Sequence, residues 1–259
     1  MNSNYTDQIK KNLFEYVLRL GDDNLILGHR LSEWCGHGPI LEEDIALTNI
    51  ALDCIGQASA WLKLAGEIEG KGRNEDTLAY FRTEREFKNL QITEYANTDF
   101  AYTIVRQFFL DVYFFYLYEV LTRSKDENIS AIAEKSLKEV KYHFRHSKEW
   151  ILRLGDGTEE SHNRTQNAIN DLYPLTGEMF EIDLVIRSLM KENIIPGITK
   201  LKTSWETIVR SIVEEATLTL QEDVVFTAQG SRLGYHSEQL GHILAEMQIL
   251  PRTYPDAEW

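Results

Sequence analysis

Cysteine, proline and long apolar runs are all scarce in this 259-residue sequence, and each scarcity excludes a class of protein. Cys35 and Cys54 are too few and too isolated for a disulfide framework or a cysteine-rich zinc site, so two reduced thiols are expected. Five prolines and fifteen glycines leave long stretches uninterrupted, which suits long helices and not turn-dense sandwiches or barrels. No run approaches the roughly 18 apolar residues that span a bilayer. The polar stretch Met1–Lys11 has no signal-peptide core, so a cytoplasmic location is the expectation.

Positive charge is also scarce. Twenty-seven Lys and Arg against forty-one Asp and Glu give a net charge of -14 and a pI near 5.0. Such a chain repels nucleic-acid backbones and anionic membrane surfaces, so neither is an expected partner. Lys135, Lys138 and Lys141 recur at helical spacing and read as a solvated helix face. There is no Gly-x-Ser-x-Gly elbow, phosphate-binding glycine loop or dinucleotide fingerprint.

What is present is helical periodicity. Apolar residues recur at spacings of three and four through most of the chain, predicting seven or eight helices and an all-α fold. The first is expected over about 6–35, ending at Gly36-His37-Gly38-Pro39, and the second over 40–68. A more polar third is expected over 76–94. The fourth follows the capping residues Asn97-Thr98-Asp99 and is apolar nearly all round, with Phe108, Phe109, Tyr113 and Phe114 fitting either a core or an interface. The fifth is expected over 128–154 and the sixth over 161–189, with a kink at Tyr173-Pro174. Two more follow over 201–220 and 236–250. No low-complexity linker divides the chain, so residues 1–259 are expected to form one domain, with the two long pairs as a four-helix core.

A bundle of this kind raises the question of a carboxylate-bridged di-iron site. Such sites take a Glu from each of two helices and a Glu-x-x-His from each of the other two, because residues three apart share a helix face. The sequence contains one Glu-x-x-His, Glu159 to His162, and it falls in a helix start rather than mid-helix, where carboxylates and hydroxyls are ordinary first-turn residues. Polar residues do stand on the apolar stripes of the long helices: Asn24, Asp53, Asp111 and, beside the stripe, Glu139. Three residues on, Asp53 meets Gly56 and Glu139 meets Tyr142, so both imidazoles are missing, although His143 lies four residues beyond Glu139. Asn24, Asp53, Asp111, Glu139 and His143 therefore read as a degenerate relic of a metal site, with Arg106, Arg145, Gln57, Tyr142 and His143 available as partners for buried carboxylates. Glu33-Trp34-Cys35-Gly36-His37 reads as helix-end packing, and His236 and His242 as surface partners of Glu238 and Glu246.

Several of these segments resemble one family closely. They include Leu20-Gly21-Asp22-Asp23-Asn24, Arg30-Leu31-Ser32-Glu33-Trp34-Cys35-Gly36-His37, Asp44-Ile45-Ala46-Leu47, Leu52-Asp53 and Gly56-Gln57-Ala58. Glu75-Asp76-Thr77-Leu78-Ala79, Lys138-Glu139-Val140-Lys141-Tyr142-His143, Arg153-Leu154-Gly155-Asp156-Gly157 and Leu244-Ala245-Glu246-Met247-Gln248 extend the match over most of the chain. The resemblance is to the C subunits of ring 1,2-phenylacetyl-CoA epoxidases. It implies a ferritin-like fold and a structural subunit without activity of its own. It also implies a homologous catalytic partner that holds the di-iron centre, and a reductase carrying flavin and an iron-sulfur cluster. The assembly would convert phenylacetyl-CoA with dioxygen and NADPH, with this chain holding no cofactor and sharing in the acyl-CoA surface. The alternative is a di-iron oxygenase that uses Asp53, Asp111, Glu139 and His143 as an unusual ligand set.

Overall fold

The computed structural model describes residues 5–257. In chain order its α-helices are α1 (Asp7–Ser32), α2 (Leu41–Glu69), α3 (Glu75–Tyr80), α4 (Phe100–Leu121), α5 (Glu127–Gly155), α6 (Glu159–Leu172), α7 (Leu184–Lys191), α8 (Leu201–Glu215) and α9 (Glu238–Thr253). Short 3₁₀ segments join several of them, and no strand occurs among the described residues. The class is all-α, and the long helices α1, α2, α4 and α5 are the elements that a ferritin-like chain requires.

Helix starts follow capping chemistry. Thr6 accepts from the Ile9 N–H, Asp99 from Tyr102 and Asp126 from Ile129, each satisfying a first-turn donor that has no helical partner. The α1 end is stopped by a turn in which the Asp44 carboxylate accepts from the backbone N–H groups of Gly36 and Gly38 at 2.7 and 3.2 Å.

Two expected helices are corrected. The third does not run over 76–94: α3 ends at Tyr80 and the chain continues through 3₁₀ turns at Glu84–Glu86 and Gln91–Thr93. The reason lies on α1, where Asp22 and Asp23 accept the backbone N–H groups of Lys88 and Leu90 at 2.8 and 2.7 Å and so take donors that a helix would use internally. The sixth does not run over 161–189 either. It ends at Leu172, a 3₁₀ stretch covers Tyr173–Phe180, and α7 begins at Leu184. Pro174 lacks the N–H that the α-helical ladder needs, so the kink expected there is a break.

The chain groups into two compact units. One comprises Met1–Ala96, Leu184–Ser188 and Gln229–Trp259. Its backbone is the antiparallel hairpin of α1 and α2, which approach closely because Gly21 stands against Leu62; a Cβ at Gly21 would lie 2.6 Å from Leu62 Cδ2. From Val17 to Leu27, α1 is buried on every side, polar residues included.

The other unit comprises Asn97–Asp183 and Leu189–Ala228 and is built on the antiparallel hairpin of α4 and α5, with α6 and α8 against α4. The residues of α4 from Thr103 to Phe114 are all buried. Phe109 packs on Trp205, whose indole N–H donates to the Phe109 carbonyl at 2.8 Å, and Tyr173 stacks on the same indole. Each such buried aromatic contributes roughly 1.5–3 kcal/mol through removal from water.

Candidate functional site

In the second unit, Asp111 on α4 and His143 and Ser147 on α5 meet in the interior, each about 1% exposed or less. Asp111 Oδ2 accepts from the Ser147 hydroxyl at 2.7 Å, and Oδ1 lies 2.6 Å from the Gln107 amide nitrogen. Burial pushes the Asp111 carboxyl up to about 7, against the opposing pull of His143, Ser147 and Gln107. The Gln107 carbonyl oxygen is buried without a partner. Turning the amide over would let a protonated Asp111 donate to that oxygen at a distance normal for O–H···O, so the geometry suits a neutral acid.

The other members of the predicted set each lie within one of the two units. Glu139 is half-buried, one residue off the stripe of Ser136, Val140, His143 and Ser147, while Tyr142 is 43% exposed and lies under the Arg145 guanidinium. Arg106 reaches Asn97 at 2.5 Å. In the first unit, the Asn24 side chain turns back to donate to the Leu20 carbonyl of its own helix at 2.8 Å. Asp53 is half-buried, and Gly56 is exposed with open space where a side chain would project. Both positions three residues beyond a carboxylate, 56 and 142, thus face outward. Among the described residues, no group of three or more His, Cys, Asp or Glu side chains is placed to hold a metal ion. The spacing at Asp53 and Glu139, with Gly56 and Tyr142 three residues on, does not match the Glu-x-x-His pair of a carboxylate-bridged di-iron set.

The polar cluster that the sequence concealed is in the first unit. Asp22, Asp23 and Glu94 are fully buried carboxylates. Arg82 pairs with Asp22 through both terminal nitrogens, one at 2.9 Å. Arg232 clasps Asp23 through two contacts of 2.8 and 2.9 Å. Glu94 accepts from His236 Nδ1 at 2.6 Å and from the Ser237 N–H and hydroxyl at 2.8 and 2.6 Å. Burial pushes the Asp23 carboxyl up despite Arg232 and the Leu90 N–H. For His236, burial disfavours charge, but the Glu94 hydrogen bond and charge, the Phe87 carbonyl and Asp22 outweigh it and raise its pKa.

Sequence spacing places His236 at the surface beside Glu238; it is instead buried against Glu94, because the chain before α9 returns to the α1–α2 hairpin. The signal available in the sequence is the acidic pair Asp22-Asp23 inside an otherwise apolar helix, which requires cations from distant segments. Elsewhere, His162 Nδ1 contacts the Gly155 carbonyl at 2.7 Å in the turn before α6, Cys35 is exposed at a helix end, and Cys54 is buried.

Known proteins share this helical chain over nearly its whole length. The family described as phenylacetic acid catabolic protein matches residues 1–259. A relative from Escherichia coli (strain K12), the C subunit of 1,2-phenylacetyl-CoA epoxidase, is 44% identical over 247 residues, covering 95% of this chain and 99% of the relative. The chain belongs to the phenylacetic acid catabolic protein family.

Proposed function

We propose that this chain is the structural subunit of a multicomponent phenylacetyl-CoA 1,2-epoxidase, holding and supporting a homologous catalytic subunit without carrying out the oxygenation itself. The 44% identity to an epoxidase C subunit over nearly the whole of both chains supports the assembly. The family match over residues 1–259 supports treating both compact units as one ferritin-like domain.

The observation that carries the non-catalytic part is the pair of outward-facing positions, Gly56 and Tyr142, three residues beyond Asp53 and Glu139. A di-iron centre needs an imidazole at each such position on an inward face. In the proposed assembly the di-iron centre belongs to the catalytic partner, the flavin and iron-sulfur cluster to the NADPH-dependent reductase, and this chain contributes packing surface and a share of the acyl-CoA surface. No described helix is long and apolar enough to cross a membrane, and the proposed assembly works in the cytoplasm.

Reconstitution tests the reading. The chain alone, supplied with reductase, NADPH, dioxygen and phenylacetyl-CoA, is expected to form no epoxide; co-purified with the catalytic subunit, it is expected to be required for full rate. Retained activity in a complex whose chain carries Glu139→Ala and His143→Ala excludes the unusual ligand set, and loss of chemistry with the complex intact would support it.

A further inference from the structure

We infer that the groove between α3 and α9 in the first unit docks a partner-protein segment that presents a lysine or arginine beside aliphatic or aromatic side chains. This rests on the reading of the chain as a subunit and names one surface through which it engages its assembly.

The groove encloses about 840 Å³ and is walled by Asp76, Tyr80, Phe81, Glu246, Leu250 and Tyr254, with His29 of α1 at its inner side. Its apolar walls are unusually open for a soluble surface: Phe81 is 43% exposed, Leu250 53% and Tyr254 57%. All lie in one unit, so the groove is defined without reference to the rest of the chain.

Its walls are fixed before any partner arrives. Gln248 donates to the Arg82 carbonyl at 3.0 Å, and Arg252 donates to the carbonyls of Tyr80 and Arg82 at 3.2 and 2.9 Å, tying α9 to the end of α3. Nearer its start, α9 is anchored by the buried side chains of Leu240, Ile243 and Leu244. A preformed groove loses little conformational freedom on binding, which is where surface contacts usually lose their affinity.

Charge selects the occupant. Asp76 and Glu246 line the groove, no Lys or Arg does, and neither carboxylate has an ion-pair partner among the described residues. The buried carboxylates of the same unit are treated differently, each with its own cation or donors. His29 supplies no compensating charge, since burial lowers its pKa, and its Nε2 is buried without a partner. Acceptors over aromatic faces suit an ammonium or guanidinium on an apolar stem. The same charges repel the phosphates of a coenzyme A ester, so this groove is distinct from any acyl-CoA surface.

The test uses the full chain co-expressed and co-purified with its partner subunits. Hydrogen exchange of the complex against the chain alone is expected to show protection over residues 76–81 and 246–254. Asp76→Lys combined with Glu246→Lys alters exposed side chains, and an unchanged melting curve for the free variant establishes that it folds. That variant is expected to bind the partner roughly tenfold more weakly, with the deficit shrinking at high salt. A complex that forms with wild-type affinity in the variant and leaves the groove unprotected overturns the docking site and leaves the subunit reading intact. Failure of any complex to form overturns both. Protection of the groove in the free chain on adding arginine amide, without protection in the complex, would make it a small-cation site and overturn the docking of a partner.

Discussion

His236 Nδ1 lies 2.6 Å from Glu94 Oε1, and the opposite ring nitrogen lies 2.9 Å from the Phe87 carbonyl oxygen. An imidazole facing a carboxylate and a carbonyl satisfies both only when it carries both protons. The surrounding charges agree: Asp22, Asp23 and Glu94 stand against Arg82 and Arg232, and a protonated His236 brings the network to neutrality. Arg30, which donates to the Glu94 main-chain carbonyl, has Glu33 as its own counter-ion.

Stability is therefore expected to depend on pH through His236. Its pKa is raised above the ordinary 6.5, so its contribution is complete below pH 6.5 and is lost as pH rises through the raised folded value. Denaturant melts from pH 6 to 9 are expected to show the wild type weakening with rising pH. His236→Asn is expected to be less stable by roughly 3 kcal/mol at pH 6, with a flatter profile, since the substitution leaves Glu94 buried without its cation. Parallel profiles for the two proteins would contradict the charge assignment.

Asp111 behaves in the same sense through a different group. Its carboxyl is raised from 3.8 to about 7, so the neutral acid is the form that the fold accepts and stability falls as pH climbs from about 4 to about 7. The full excursion is on the order of 4 kcal/mol, an upper figure for so buried a site. Asp111→Asn, which keeps the shape and a hydrogen-bonding amide, is expected to remove that decline and to melt higher than wild type at pH 8. A lower melting point at pH 8 would show that the charged carboxylate is the native form.

The long helices are legible in the sequence because each carries a stripe at spacings of three and four and a cap such as Asp99 or Asp126. The failures have a common cause. Residues 81–94 carry helical periodicity, but their backbone donors at Lys88 and Leu90 are claimed by Asp22 and Asp23, more than sixty positions away in sequence. The position of His236 is hidden for the same reason, since Glu94 lies 142 positions from it. In the candidate site, the absence of imidazoles three residues beyond Asp53 and Glu139 is readable from spacing alone. The meeting of Asp111 with Ser147 requires the α4–α5 register, which only the packed hairpin supplies.

The outward direction of positions 56 and 142 has its own consequence. Restoring the metal-site spacing with Gly56→His and Tyr142→His is expected to leave the chain without stoichiometric iron, because both new imidazoles project from exposed positions. The folded double variant, purified from iron-replete medium, checks this by metal analysis. Uptake of iron in proportion to protein would show that these faces turn inward.

The central claim, a structural subunit beside a separate di-iron catalyst, is tested most directly by iron analysis of the two subunits after they are purified together and then separated. The account predicts that iron follows the catalytic partner and that this chain carries none in stoichiometric amount. Two irons per copy of this chain, retained after separation, would contradict it.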